Sequence, residues 1–161
     1  MDTMVRDGRH DFDFAFGAWN VRHRRLRSVL SQADDWYEFD GTSEQAPLWG
    51  GRGNVEEVVA EHPFGRIEGV AVRFYDENTS RWSIYWGTSS GGLVTTPNVG
   101  TFDERGIGEF FACCTFEGNP IISRYRWTPL DPDHCRWEQH FSPDNGASWE
   151  LNWVMAFTRR R

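Results

Sequence analysis

WELNWVMAFT, residues 149–158, is the stretch on which the fold turns. Trp149, Leu151, Trp153, Met155 and Phe157 fall on one side of an extended segment; Glu150, Asn152 and Thr158 fall on the other. Side chains alternate across a strand with a period of two, so this is a strand with one large apolar face and one polar face. Such a face has to be covered.

The same pattern runs outward from it through the whole chain. Strand candidates are GAWNVRHRRLRS (17–28), DWYEFDGTS (35–43), GNVEEVVAE (53–61), GRIEGVAVRFYD (65–76) and RWSIYWGT (81–88). A weaker VGTF (99–102) follows, then GEFFACCTFE (108–117), PIISRYRWTP (120–129) and HCRWEQHF (134–141). Between them lie turn formers such as Asp76-Glu77-Asn78, Asp131-Pro132-Asp133 and Asp144-Asn145-Gly146. About ten strands joined by tight turns describe an antiparallel meander. Helical periodicity is confined to a short turn near Asp11–Phe16, with Asp11 as its cap and Phe12 and Phe16 facing inward. With so little helix to cover the aromatic face, the sheet covers itself. The expected fold is all-β: a single domain over residues 1–161, a closed antiparallel up-and-down barrel of about ten strands with a short N-terminal helical turn, residues 1–10 forming a flexible leader.

Alternation then assigns faces. The expected lumen set contains Trp36, Val55, Val59, Trp82, Ile84, Trp86, Phe111, Tyr125, Trp127, Trp137, Phe141 and Trp153. Among polar residues the same parity turns His23, Arg25, Glu38, Glu57, Arg73, Tyr125 and Gln139 inward. Buried charge is costly unless paired, so Arg25 and Arg73 are expected to answer Glu38 and Glu57. Ligand-binding candidates are Arg25, Trp36, Arg73, Trp82, Trp86, Tyr125, Trp127, Trp137, Gln139 and Trp153. Acid–base candidates are His23, Glu38 and Glu57. Outward Tyr37, Phe39, Val70 and Val72 would form an apolar patch suited to a homodimer.

Composition removes several classes of function. All 17 basic residues are Arg and the net charge is −7. Without Lys there is no Schiff-base chemistry and no phosphate-loop lysine. An acidic chain lacks the footprint of a nucleic-acid or anionic-membrane binder. Three cysteines, Cys113, Cys114 and Cys135, suit a reduced, cytoplasmic protein. No Cys-x-x-Cys, nucleophile elbow or metal-ligand spacing is present, and neither metal nor cofactor is expected.

The opening FDFAFGAWNVRHRRL, with Gly17 and Trp19 behind Phe12, Phe14 and Phe16, resembles the Gly-x-Trp start of calycin-type barrels. That group includes lipocalins, fatty-acid-binding proteins and nitrobindins. LWGGRGNVEE, RWSIYWG and RWEQHFSPDNGASWELNWVMAFTR are similar to stretches of a bacterial family of small barrels to which no reaction is attached. The resemblance implies a ligand-holding barrel. Nitrobindins hold haem through a late histidine and carry a glycine-rich segment after the first Trp; here Asn20-Val21-Arg22-His23 departs from that segment and His140 reads as outward. SPDNGASW also resembles the Asp-box turn through Ser142, Asp144, Gly146 and Trp149, a local folding device. Three readings follow. The first is binding of a small hydrophobic or aromatic molecule in the lumen. The second is cofactor-free isomerisation, cyclisation or dehydration by His23 with a glutamate. The third is a haem-binding barrel.

Overall fold

Why the ends of this barrel differ becomes clear from its strand register. The computed structural model describes residues 6–161. Its strands are β1 (Gly17–Leu26), β2 (Trp36–Leu48), β3 (Gly53–His62), β4 (Gly65–Asp76), β5 (Arg81–Thr88), β6 (Gly92–Leu93), β7 (Asn98–Phe102), β8 (Gly108–Phe116), β9 (Asn119–Asp131), β10 (His134–Ser142) and β11 (Glu150–Arg159). Every pairing is antiparallel. Ten strands close a barrel in sequence order, with β4 on β5 and β11 on β1 completing the ring. The two-residue β6 folds back on the end of β5. No helix among the described residues is long and apolar enough to cross a membrane.

One end is plugged by the N-terminal segment. Two short 3-10 turns, Gly8–His10 and Asp13–Ala15, replace the single turn expected over 11–16. Asp7 caps the first; Asp11 instead accepts from Arg6. Phe12 enters the barrel edge-on to Trp82 and Phe102, each at 4.9 Å between ring centroids. Trp19 Nε1 donates to Ala15 O at 2.8 Å, and Trp82 Nε1 donates to Gly8 O at 3.2 Å. Arg159 lies over Trp19 at 4.1 Å while donating to Phe16 O at 2.6 Å. Residues 6–10 are therefore part of the closure rather than a leader: Gly8 N donates to the Tyr75 hydroxyl and Arg6 to Phe102 O. Residues 1–5 of the expected leader lie outside the described residues.

The wall has one weak seam. β5 and β7 share only Trp82–Gly100, Ser83–Val99 and Ile84–Asn98. Beyond Ile84 the edge of β5 turns to β6, where Val94 N donates to Trp86 O at 2.8 Å. Leu93 and Val94 stand exposed there.

Parity holds on most strands and slips by one residue on three. On β2 Tyr37, Phe39, Ser43 and Gln45 point inward, so Trp36 and Glu38 are outside. Trp36 covers the Arg24 side chain at 4.2 Å, and Glu38 pairs with Arg22. On β3 Asn54, Glu56, Val58 and Ala60 face the lumen, placing Val55, Glu57 and Val59 outside. The inward face of β3 is the more polar one because it must answer Arg73. Phe111 is also outward and exposed. A bulge between Gln139 and His140 opposes Leu151 to His140, which turns Leu151 away from the lumen and Asn152 into the interior. Trp149 lies outside on Arg124 at 4.2 Å. The apolar patch expected from Tyr37, Phe39, Val70 and Val72 does not form, since the two aromatics point inward.

Candidate functional site

Above the plug, the lumen is crossed by a buried ion pair. Arg73 on β4 is 1% exposed and donates through Nη2 to Glu56 on β3. Its Nη1 donates to Gln45 Oε1 at 2.9 Å and to Asn54 Oδ1 at 2.8 Å. Ser43 Oγ donates to the other oxygen of Glu56 at 2.9 Å. The guanidinium also sits over Phe12 at 4.6 Å and Trp127 at 5.2 Å. Two charges survive in an apolar barrel only with this degree of satisfaction. Burial pushes the Glu56 carboxyl upward in pKa and the Arg73 guanidinium downward, and the partner charge opposes each shift.

On this floor rests a chamber of about 60 Å³. Arg73, Trp86, Tyr125, Trp127, Trp137, Gln139 and Trp153 line it, together with Glu56 and small aliphatics such as Val58 and Ala71. Trp137 stands edge-on to Trp153 at 5.3 Å and packs on Tyr125 at 5.2 Å. Toward the seam lies an outer chamber of about 130 Å³, reached by Val94, Asn98, Cys114 and Phe141. Ile84, Trp86, Tyr125 and Gln139 border both. Burial raises the Tyr125 hydroxyl to a pKa of about 12, which keeps it a neutral donor. Gln139 Nε2 donates to Asn152 Oδ1 at 2.9 Å, fixing its amide orientation.

Trp86 depends on Gly69. A Cβ at Gly69 would overlap the indole ring of Trp86. Gly69→Ala is expected to drive Trp86 into the chambers, cost about 1–3 kcal/mol of stability by overpacking, and shift tryptophan emission. Urea denaturation and a fluorescence spectrum check both effects.

The remaining sequence candidates sit elsewhere. Trp82 belongs to the plug. Trp36, Glu38 and Glu57 are outside, so the expected acid–base group of His23 with those glutamates does not assemble, and Arg25 has neither as a partner. His23 is fully buried, stacked on Phe39 at 4.5 Å, and accepts from Trp153 Nε1 through Nδ1 at 3.1 Å. Its Nε2 carries the proton and has no partner among the described residues. Burial, aided by the Arg25 charge, lowers its pKa to about 4. Haem does not fit these residues. His23 is covered by Phe39 and by Gly41, His140 is on the outer face, and the chambers are far smaller than a porphyrin. Sequence reasoning missed Glu56. The available signal was Arg73 itself, which demands an inward carboxylate that Glu57, one residue on, cannot supply.

No family model matches the chain and no curated protein matches it. Among solved structures it is similar to the S-type phycobiliprotein lyase CPES from Guillardia theta, at 11% identity and a TM-score of 0.60, over 93% of this chain and 90% of that one. A de novo designed fluorescence-activating β-barrel gives 14% and 0.50, covering 92% and 95%. EF1p2_mFAP2b bound to DFHBI gives 12% and 0.51, covering 96% and 100%. The likeness is one of fold. What they share with this chain is a closed antiparallel β-barrel.

Proposed function

We propose that this protein binds a small, flat, largely apolar molecule in its lumen. The observation that carries the reading is a pair of neighbouring chambers that share Ile84, Trp86, Tyr125 and Gln139, the inner one walled also by Trp127, Trp137 and Trp153. An engineered apolar cavity of roughly 150 Å³ holds benzene. Neither chamber reaches that size alone, but the two joined exceed it. Rotation of Trp86 and Gln139 is the step that joins them. Aromatic walls favour an aromatic guest through stacking and edge contacts. That two of the similar barrels are described as fluorescence-activating or bound to DFHBI supports the same reading by analogy of fold.

The neutral naphthyl ketone 2-acetonaphthone is a suitable probe, because it accepts energy from tryptophan. Titration is expected to quench emission saturably. Ala71 lines the inner chamber, so Ala71→Phe should fill it and weaken binding at least about tenfold with the β-sheet circular dichroism retained. Undiminished binding in that variant places the probe outside the lumen and defeats the proposal.

A further inference from the structure

We infer that the open end of the barrel holds a site for the anionic group of the ligand, so that the guest is an amphipathic aromatic or aliphatic carboxylate. This rests on the lumen reading above and adds the chemistry of the mouth. All but four of the 17 arginines lie within 4 Å of a carboxylate. The four without such a partner among the described residues are Arg24, Arg25, Arg27 and Arg81. In a chain with 24 acidic residues, partners are in surplus, yet three of those four arginines crowd the end of β1. Local carboxylates are committed elsewhere. Asp35 accepts from Ser28 N and Oγ, Glu150 from Leu30 N, Glu38 binds Arg22, and Glu61 binds Arg66. Asp34 is exposed and reaches none of the three.

The placement of these cations connects them to the lumen. Arg25 faces inward from β1 and stacks on Trp153 at 4.4 Å, the same ring that walls the inner chamber. Arg27 lies over Phe64 at 4.6 Å, and Phe64 packs edge-on to Tyr37 at 5.4 Å. Tyr37 is the register partner of Arg25 on β2. His62 completes the group on β3, its ring 6.2 Å from that of Tyr37. Its Nδ1 accepts from Phe64 N at 3.0 Å, which leaves Nε2–H as a donor. Two guanidinium groups, an imidazole N–H and a phenol thus stand over an aromatic interior with no carboxylate among them. A bound carboxylate would supply the missing counter-charge through charge-assisted hydrogen bonds, while its ring or chain enters toward Trp153.

The test compares two near-isosteric probes, 2-naphthoate and 2-acetonaphthone, by tryptophan quenching at low and at about 0.5 M salt. Naphthoate is expected to bind about tenfold more tightly than the ketone at low salt, with the preference shrinking at high salt. Arg25→Gln and Arg27→Gln should each remove most of that preference by weakening naphthoate far more than the ketone. Arg25→Lys should restore part of it, and Arg81→Gln, at the far end of β5, should alter nothing. Arg27 is an exposed rim residue, so its variant stays informative even where Arg25→Gln folds poorly. Equal affinity for the two probes, or arginine variants that weaken both alike, overturns the anion site but leaves the lumen reading standing. Binding of neither probe overturns the lumen reading, and this inference with it.

Discussion

Arg73→Met is expected to lower the unfolding free energy by about 3–5 kcal/mol, a large share of the roughly 5–15 kcal/mol that holds a typical domain together. The substitution keeps most of the side-chain volume but strands a carboxylate. Glu56 is 3% exposed, and without Arg73 its remaining support is the Ser43 hydroxyl at 2.9 Å. Gln45 and Asn54 lose their donors at the same time. Removing both charges is a different matter. Glu56→Leu with Arg73→Met deletes the desolvation penalty together with the attraction, and buried pairs replaced in this way are often neutral or even stabilising. The double variant is therefore expected to fall within about 1 kcal/mol of the parent. Urea denaturation of the parent, both single variants and the double variant closes a thermodynamic cycle. Additive losses would mean that the two groups are not coupled, contrary to the geometry.

The same ion pair shows how far the sequence could be read. On β11, β5 and β9 one face is plainly aromatic, and alternation assigned Trp82, Trp86, Tyr125, Trp127 and Trp153 to the interior, where the structure has them. β3 offers no such contrast. Val55 and Val59 lie on one face and Val58 and Ala60 on the other, so hydrophobicity alone does not set the sign. The decision comes from Arg73 on the neighbouring β4, whose partner on β3 the sequence does not reveal until register is known. β2 fails for a related reason: Trp36 and Tyr37 are adjacent aromatics, and the outward one stacks on the Arg24 guanidinium. The bulge at Asn152 broke the apparent alternation of Trp149 and Leu151 with Trp153, because one extra residue reverses every side chain beyond it. The plug was illegible in a further way. Its contacts with Trp19 and Trp82 are made through the carbonyls of Ala15 and Gly8, which no side-chain pattern reports.

Acid should weaken this fold in a window set by histidine, before the hydrogen-bonded surface aspartates respond. His23 is held at a pKa of about 4, first by burial and then by the Arg25 charge; His62 adds slightly in the same direction and Asp40 opposes them. An unfolded histidine titrates near 6.5. Between those values the unfolded chain takes up a proton that the folded chain refuses, so lowering the pH favours unfolding. The contribution is fully present above about pH 6.5, declines through the interval and is lost below about pH 4, amounting to about 3 kcal/mol for this group. His140 adds a smaller loss in the same window. It too is lowered to about 4, by burial and then by Arg124, Arg126 and Arg136, but it sits on the outer face close to water. Asp7, Asp103, Asp131 and Asp144 are all held below the ordinary carboxylate value by their hydrogen bonds, so their contributions vanish only at lower pH. Urea midpoints measured from pH 7.5 down to pH 4.5 should fall steadily for the parent. They should fall less steeply for His23→Gln, whose amide can still accept from Trp153 Nε1 but cannot take up the proton. A parent curve that stays flat across this range would mean that His23 becomes charged inside the barrel as readily as in the unfolded chain. That state would break the bond from Trp153 and place two cations, His23 and Arg25, side by side at the mouth.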